Sequence, residues 1–292
     1  MKKKYFVIFI LFSILALIIS LMLKVENKIR EEKIIVIDST KVRIELLPEH
    51  NSKSLIKSVK NSKIKFSVKG DYFEIYTLDR NDENNASWKP IFLKGVNLGV
   101  ALPGKFPSEF PDDFDLYLDW FREMGKMNSN IVRIYTIFPP VFYEAFAQYN
   151  LICSDKPLYL MQGVWATVPE DHNYFSEEYN YVFQKEIKDV VDVIHGNIVI
   201  PKSRGKADGV YISDVSEYTI AYLLGREWEP QGVTFTNQNN PISSFDGDFI
   251  SVPSGTAMEI WLGQMMDYTL KYETLEYENQ HPVSFVNWLP LD

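Results

Sequence analysis

From residue 90 onward the chain alternates short apolar runs with amphipathic stretches, and few folds accommodate that rhythm. Strand candidates lie at residues 91–98, 130–137, 158–165, 220–228 and 283–288. Between them, residues 111–125 carry Phe114, Leu118, Phe121 and Met124 near helical spacing, and Gly125 closes the pattern. A short helix is expected at 141–149. Val182, Phe183, Ile187, Val190, Val191 and Ile194 form the stripe of another, ended by His195-Gly196. Residues 256–277 read as a long helix with Ile260, Leu262, Met265 and Met266 inward. Repeated β-then-α units imply parallel strands joined by crossovers. A closed barrel and an open doubly wound sheet both satisfy this. A doubly wound nucleotide binder carries a glycine-rich first turn, and none is present. The preferred fold class is therefore α/β and TIM-barrel-like, with about the first five of eight β/α units.

Ahead of the repeats, three lysines (Lys2 to Lys4) precede an uncharged run at residues 5–23, long enough to cross a bilayer as a helix. A cleaved signal peptide is the alternative, but no small-x-small site follows. The lysines favour an N-terminus on the inside, which predicts a single-pass membrane protein with its main domain extracytoplasmic. Residues 63–69 alternate, with Ile64, Phe66 and Val68 on one side. Gly70-Asp71 reads as a turn and residues 72–78 as the returning strand. Residues 34–37 are a further β-type run, and 79–87 a polar loop. The expected organisation is an anchor at 1–24, a linker and β-rich segment at 25–89, and a partial barrel at 90–292.

The net charge of -9 argues against nucleic acid as a partner. Cys153 is the only cysteine, so no intramolecular disulfide exists. The sequence has no zinc-ligand spacing, phosphate-binding loop or Gly-x-Ser-x-Gly elbow, so no metal or organic cofactor is expected.

The run Tyr222-Leu223-Leu224-Gly225-Arg226-Glu227-Trp228-Glu229-Pro230 is apolar until it meets a carboxylate. A parallel strand delivering an acid to an active site at its C-terminal end reads this way. Glu229 shares strand parity with Glu227 and is the rival acid. Tyr135, Trp165, Trp228 and Trp288 lie at proposed strand ends, as platforms for sugar rings or as plugs of the barrel top. Asn97, Gln162 and Asn287 are candidate hydroxyl binders, and residues 232–255 read as a long polar loop over the rim.

Four segments occur in a telling order: Lys94-Gly95-Val96-Asn97-Leu98-Gly99, Asn130-Ile131-Val132-Arg133-Ile134-Tyr135, Gly225-Arg226-Glu227-Trp228, and His281-Pro282-Val283-Ser284-Phe285-Val286-Asn287-Trp288. Over residues 90–292 this resembles the clan of retaining glycoside hydrolases on (β/α)8 barrels, cellulase-like and β-glucanosyltransferase-like members included. The resemblance implies that Glu227 is the general acid/base and that Arg133 holds the nucleophile. The nucleophile itself, a glutamate ending the seventh strand, has no carrier among the five strands expected here. Arg226 stands where the clan often has an asparagine that binds the sugar 2-hydroxyl.

Retaining hydrolysis places two carboxyl groups about 5–5.5 Å apart, one to protonate the leaving oxygen and one to attack the anomeric carbon. The acid needs a dry setting, which Trp228 is expected to help supply. The function implied is a membrane-anchored glycoside hydrolase or transglycosylase acting on a β-linked polysaccharide or oligosaccharide. The alternatives are a non-catalytic glycan-binding or scaffold protein on the same barrel, or a gene fragment completed by a second chain.

Overall fold

The computed structural model describes residues 63–79, 82–99, 101–106 and 108–287. The expected anchor, the run at 34–37 and Trp288 lie outside them. Among the described residues, no helix is long and apolar enough to cross a membrane.

A two-residue strand β1 (Lys63–Ile64) leads into an antiparallel meander of β2 (Phe66–Lys69), β3 (Tyr72–Asp79) and β4 (Asp82–Ile91). Gly70, with φ of +58°, makes the expected turn. The expected polar loop at 79–87 is largely strand, because pairing with β3 organises β4 despite its polar sequence. Residues 89 and 90 both lie within β4.

The β/α rhythm then follows: β5 (Gly95–Asn97), helix α1 (Phe114–Lys126), β6 (Ile131–Ile134), α2 (Pro140–Ile152), β7 (Tyr159–Val164) and α3 (Glu177–Ile194). A hairpin of β8 (Ile198–Ile200) and β9 (Gly209–Tyr211) precedes β10 (Thr219–Leu224). Helix α4 (Pro230–Asn239), a hairpin of β11 (Phe245–Asp246) and β12 (Ser251–Val252), and α5 (Ala257–Tyr277) follow. Strand β13 (Asn279–Gln280) pairs in parallel with β1, and β14 (Val283–Phe285) is the last strand among the described residues.

Strands β5, β6, β7, β10 and β14 form one parallel sheet in which each strand bonds to the next in chain order. A doubly wound sheet reverses direction partway; this one does not. One apolar cluster joins Val132, Ile134, Leu160, Val164, Tyr222 and Leu224 to buried residues of α1, α2, α3 and α5, so these helices cover one face. On the other face, Phe66 and Ile75 of the small sheet pack against Ile131, Tyr159, Ile220 and Ala221, near the strand starts. Ile64 and Val68 are exposed, so only Phe66 of the expected stripe in β1 and β2 is core.

Local signals explain the helix ends. Asp113 caps α1 by accepting from the Leu116 amide. Thr256 and Glu259 form a reciprocal capping box at the start of α5. His195 caps the end of α3 and Gly196 follows at φ +61°.

Candidate functional site

Strand β10 ends at Leu224, earlier than its sequence suggests. Gly225 adopts φ of +86°, and a Cβ there would lie 2.0 Å from the Trp228 ring. The chain therefore leaves the sheet at Gly225, and residues 225–229 form a loop into α4, whose N-cap is Glu229. This corrects three expectations. Glu227 and Glu229 do not share a strand, so parity says nothing about them. Residues 230–239 are helical, not part of a rim loop. Trp228 is buried against Tyr174 and Trp261, in near-perpendicular contacts at 5.4 and 5.6 Å. Its Nε1–H donates to the Val286 carbonyl at 2.7 Å, so it is a core residue and offers no ring to a sugar.

Glu227 is exposed on this loop, at the C-terminal end of the parallel sheet. Among the described residues, nothing hydrogen-bonds or ion-pairs with its carboxylate. It forms no ion pair with the adjacent Arg226. Arg226 instead donates to Glu229 at 2.6 Å, and its guanidinium lies 5.3 Å from the ring centroid of Trp165. Trp165, just past the end of β7, is 38% exposed, so part of its ring remains open beside Glu227's loop.

Arg133 projects from β6 and lies directly opposite Asn97 of β5 in register. Its guanidinium sits over the Tyr135 ring at 4.7 Å, and its Nε is buried with no hydrogen-bond partner. Asn97 is exposed, and Asn287 is exposed two residues beyond β14. Gln162 is corrected. It is fully buried on the helix side of β7, where Oε1 accepts from the Tyr143 hydroxyl at 3.0 Å and Nε2 donates to the carbonyls of Thr136 and Gly163. Strand alternation sends Leu160, Gln162 and Val164 to the helices and leaves Met161 on the other face.

A cleft of about 460 Å³ follows Trp165 in the β7–α3 connection, lined by Thr167, Glu170, Asp171, Glu178 and Tyr179 among others. A cleft of about 650 Å³ lies at the opposite end, by Asn130 and Tyr159 at the starts of β6 and β7. Of its cations, Arg122 and Lys126 are already paired with Asp119 and Glu123 on α1.

One titratable cluster has no counterpart in the sequence reading. His195, Glu273 and His281 bring their donor atoms within 4.8 Å of one another, deep in the protein. Glu273 Oε1 accepts from His281 Nδ1 at 2.6 Å, from the Tyr222 hydroxyl at 2.8 Å and from His195 Nε2 at 3.0 Å. Its Oε2 accepts from the His281 amide at 3.0 Å. His281 Nε2 faces the Ser216 carbonyl at 2.9 Å, so both ring nitrogens meet acceptors and both carry protons. The lone pairs a metal needs are therefore in use, held in hydrogen bonds within the cluster. The cluster is a buried ion pair joining α3, α5, β10 and the approach to β14.

Burial alone would raise the Glu273 carboxyl, but the His281 charge and the hydrogen bonds from His195 and His281 hold it far below its ordinary 4.5. Burial alone would lower His281, but the Glu273 charge and hydrogen bond raise it above 6.5. Glu273 contributes full stability above pH 4.5, lost as pH falls through its depressed pKa. His281 contributes full stability below pH 6.5, lost as pH rises through its raised pKa. Both contributions are complete only between those two values. Thermal unfolding across a pH series is expected to place maximal stability in that window, with a decline on the alkaline side. A Tm that keeps rising well above pH 6.5 would contradict the pairing.

The signal that could have found this cluster is faint: two of four histidines, one beside Pro282, and a glutamate in a long helix. No known protein family, no curated protein and no solved structure matches this chain.

Proposed function

We propose that the C-terminal edge of the parallel sheet is a carbohydrate site of the retaining glycoside hydrolase kind, with Glu227 as acid/base. In this reading the five β/α units belong to a (β/α)8 barrel, held at a membrane by residues 5–23 with the sheet on the extracytoplasmic side. The observation that carries it is the placement of Glu227. Its carboxylate is exposed on the loop after the fourth strand of a sheet wound in one direction, beside the half-open ring of Trp165. Active sites of such sheets gather at that end. Glu227 would give its proton to the glycosidic oxygen as the bond breaks, then take a proton from the incoming water or sugar hydroxyl. Trp165 would stack on a ring, and Arg226, tethered by Glu229, would donate to hydroxyls. Arg133 and Tyr135 line the same face two strands away, and Asn97 three strands away. The attacking carboxylate has no carrier among the described residues.

A second reading, glycan binding without turnover, is favoured by one observation. Trp228 is turned into the core, so the aromatic wall expected to dry Glu227 is elsewhere.

Release of reducing ends from a panel of β-glucans and chitin oligomers tests both. Glu227→Gln is expected to lower turnover more than ~100-fold while leaving binding intact. A Glu227→Gln variant as active as the parent rules out the acid assignment. A parent that binds glycans without cleaving or transferring them leaves the second reading.

A further inference from the structure

The small sheet presents aromatic side chains that neither the rim site nor the core uses. Phe66 and Ile75 face the parallel sheet, so strand alternation puts Tyr72, Glu74 and Tyr76 of β3 on the opposite, outer face. Trp88 of β4 stands directly across from Tyr76, with ring centroids 5.3 Å apart. Lys69 is opposite Tyr72, and Ser67 and Pro90 flank Glu74. Tyr72 is 66% exposed, Tyr76 46% and Trp88 39%. Large rings gathered on one exposed face mark binding surfaces.

We propose that this outer face is a second glycan-binding surface, a platform for an extended β-linked chain at the end of the sheet away from Glu227. The apolar C–H faces of pyranose rings stack on tyrosine and tryptophan, while their hydroxyls need polar partners at the ring edges. Here the rings alternate along the strand with Glu74, and Ser67 and Lys69 lie beside them. Tyr72 and Tyr76 are about 13 Å apart along the strand, at ~3.3 Å per residue, which leaves room for a few sugar rings in line.

The extent of the patch argues for a sugar chain over a protein. A whole aromatic side chain offers about 200 Å², so the exposed parts of these three come to roughly 300 Å². A stable protein partner needs about 800 Å² on each side. The position argues for independence from the rim. Phe66 and Ile75 of this sheet pack on Ile131 and Tyr159, which open β6 and β7, whereas Glu227 follows the end of β10. The platform therefore stands whether or not Glu227 is catalytic.

The test uses the 292-residue chain and three probes, cellohexaose, laminarihexaose and chitohexaose, with pull-down on insoluble cellulose and chitin. A Y72A/Y76A/W88A variant is expected to weaken binding of at least one probe ~10-fold or more, and Tyr72→Ala alone to weaken it measurably. Tyr72 is the most exposed of the three, so its variant reports on binding even if the triple variant fails to fold. Trp165→Ala, which removes the ring proposed to stack on sugar at the rim, is expected to retain this binding, which separates the platform from the rim. Unchanged affinity in a folded aromatic variant overturns the proposal, as does a parent that binds none of the probes or polymers. A triple variant that turns a dimer into a monomer in sedimentation overturns it too, and makes the face an interface between copies.

Discussion

Replacing Glu273 with glutamine is expected to be among the most damaging single changes in this protein. The substitution preserves shape, so no cavity opens, but it removes the counter-charge of His281 in a site with no access to water. It also sets an amide against groups that donate, the Tyr222 hydroxyl and the nitrogens of His195 and His281. Breaking a buried ion pair from one side costs about 3–5 kcal/mol, because the other charge stays buried and unmatched. At ~2–4 °C per kcal/mol for a chain of this size, Tm should fall by on the order of 10 °C. The damage should reach several elements together, since the cluster ties α3, α5, β10 and the start of β14. Thermal unfolding of Glu273→Gln near pH 6 measures it. A Tm within ~2 °C of the parent means that the cluster carries little net stability.

Gly225→Ala is the second large effect, and it reaches the candidate site. Two costs combine there. A non-glycine residue held at φ +86° is strained by about 1–3 kcal/mol. The new methyl would also meet the Trp228 ring at 2.0 Å, and overpacking of this kind costs about 1–3 kcal/mol more. Trp228 cannot withdraw cheaply, because Tyr174 and Trp261 surround it and its Nε1–H is bonded to Val286. A loss of about 2–6 kcal/mol is expected, and, under the proposed function, weaker glycan turnover or binding, because the loop that presents Glu227 must move. Chemical denaturation with and without cellohexaose measures both. Parent-like stability would mean that Gly225 is not needed for the turn.

The parallel sheet was legible because β6, β7 and β10 are short apolar runs separated by longer, helix-compatible stretches. The helices α1 and α3 were legible because their stripes recur near every 3.6 residues. The site was less so, for a reason local to Gly225. Nothing in Leu223-Leu224-Gly225-Arg226 says that the strand stops before the glycine, and the side on which Trp228 falls depends on that stop. Gln162 was misplaced by the ambiguity of period-two alternation, which gives two faces without saying which meets the helices. Residues 230–239 read as loop because Gly232, Thr234, Thr236 and Asn237 are weak helix formers. Proline at the first helical position and packing of Gly232 and Thr236 into the interior override them.

The chain-order arrangement of the parallel strands bears on how the protein is made. Each strand finds its partner one β/α unit earlier, so the sheet can grow unit by unit as the chain leaves the ribosome. The pairing of β1 with β13, Lys63 beside Asn279 and Ile64 beside Gln280, is the exception. The first strand must wait for a partner near the far end of the described chain, and closing so long a loop is a late, slow event. Synthesis would therefore leave β1 unpaired until α5 has been made, which makes that strand the place where a chaperone or protease first distinguishes a finished molecule from a nascent one.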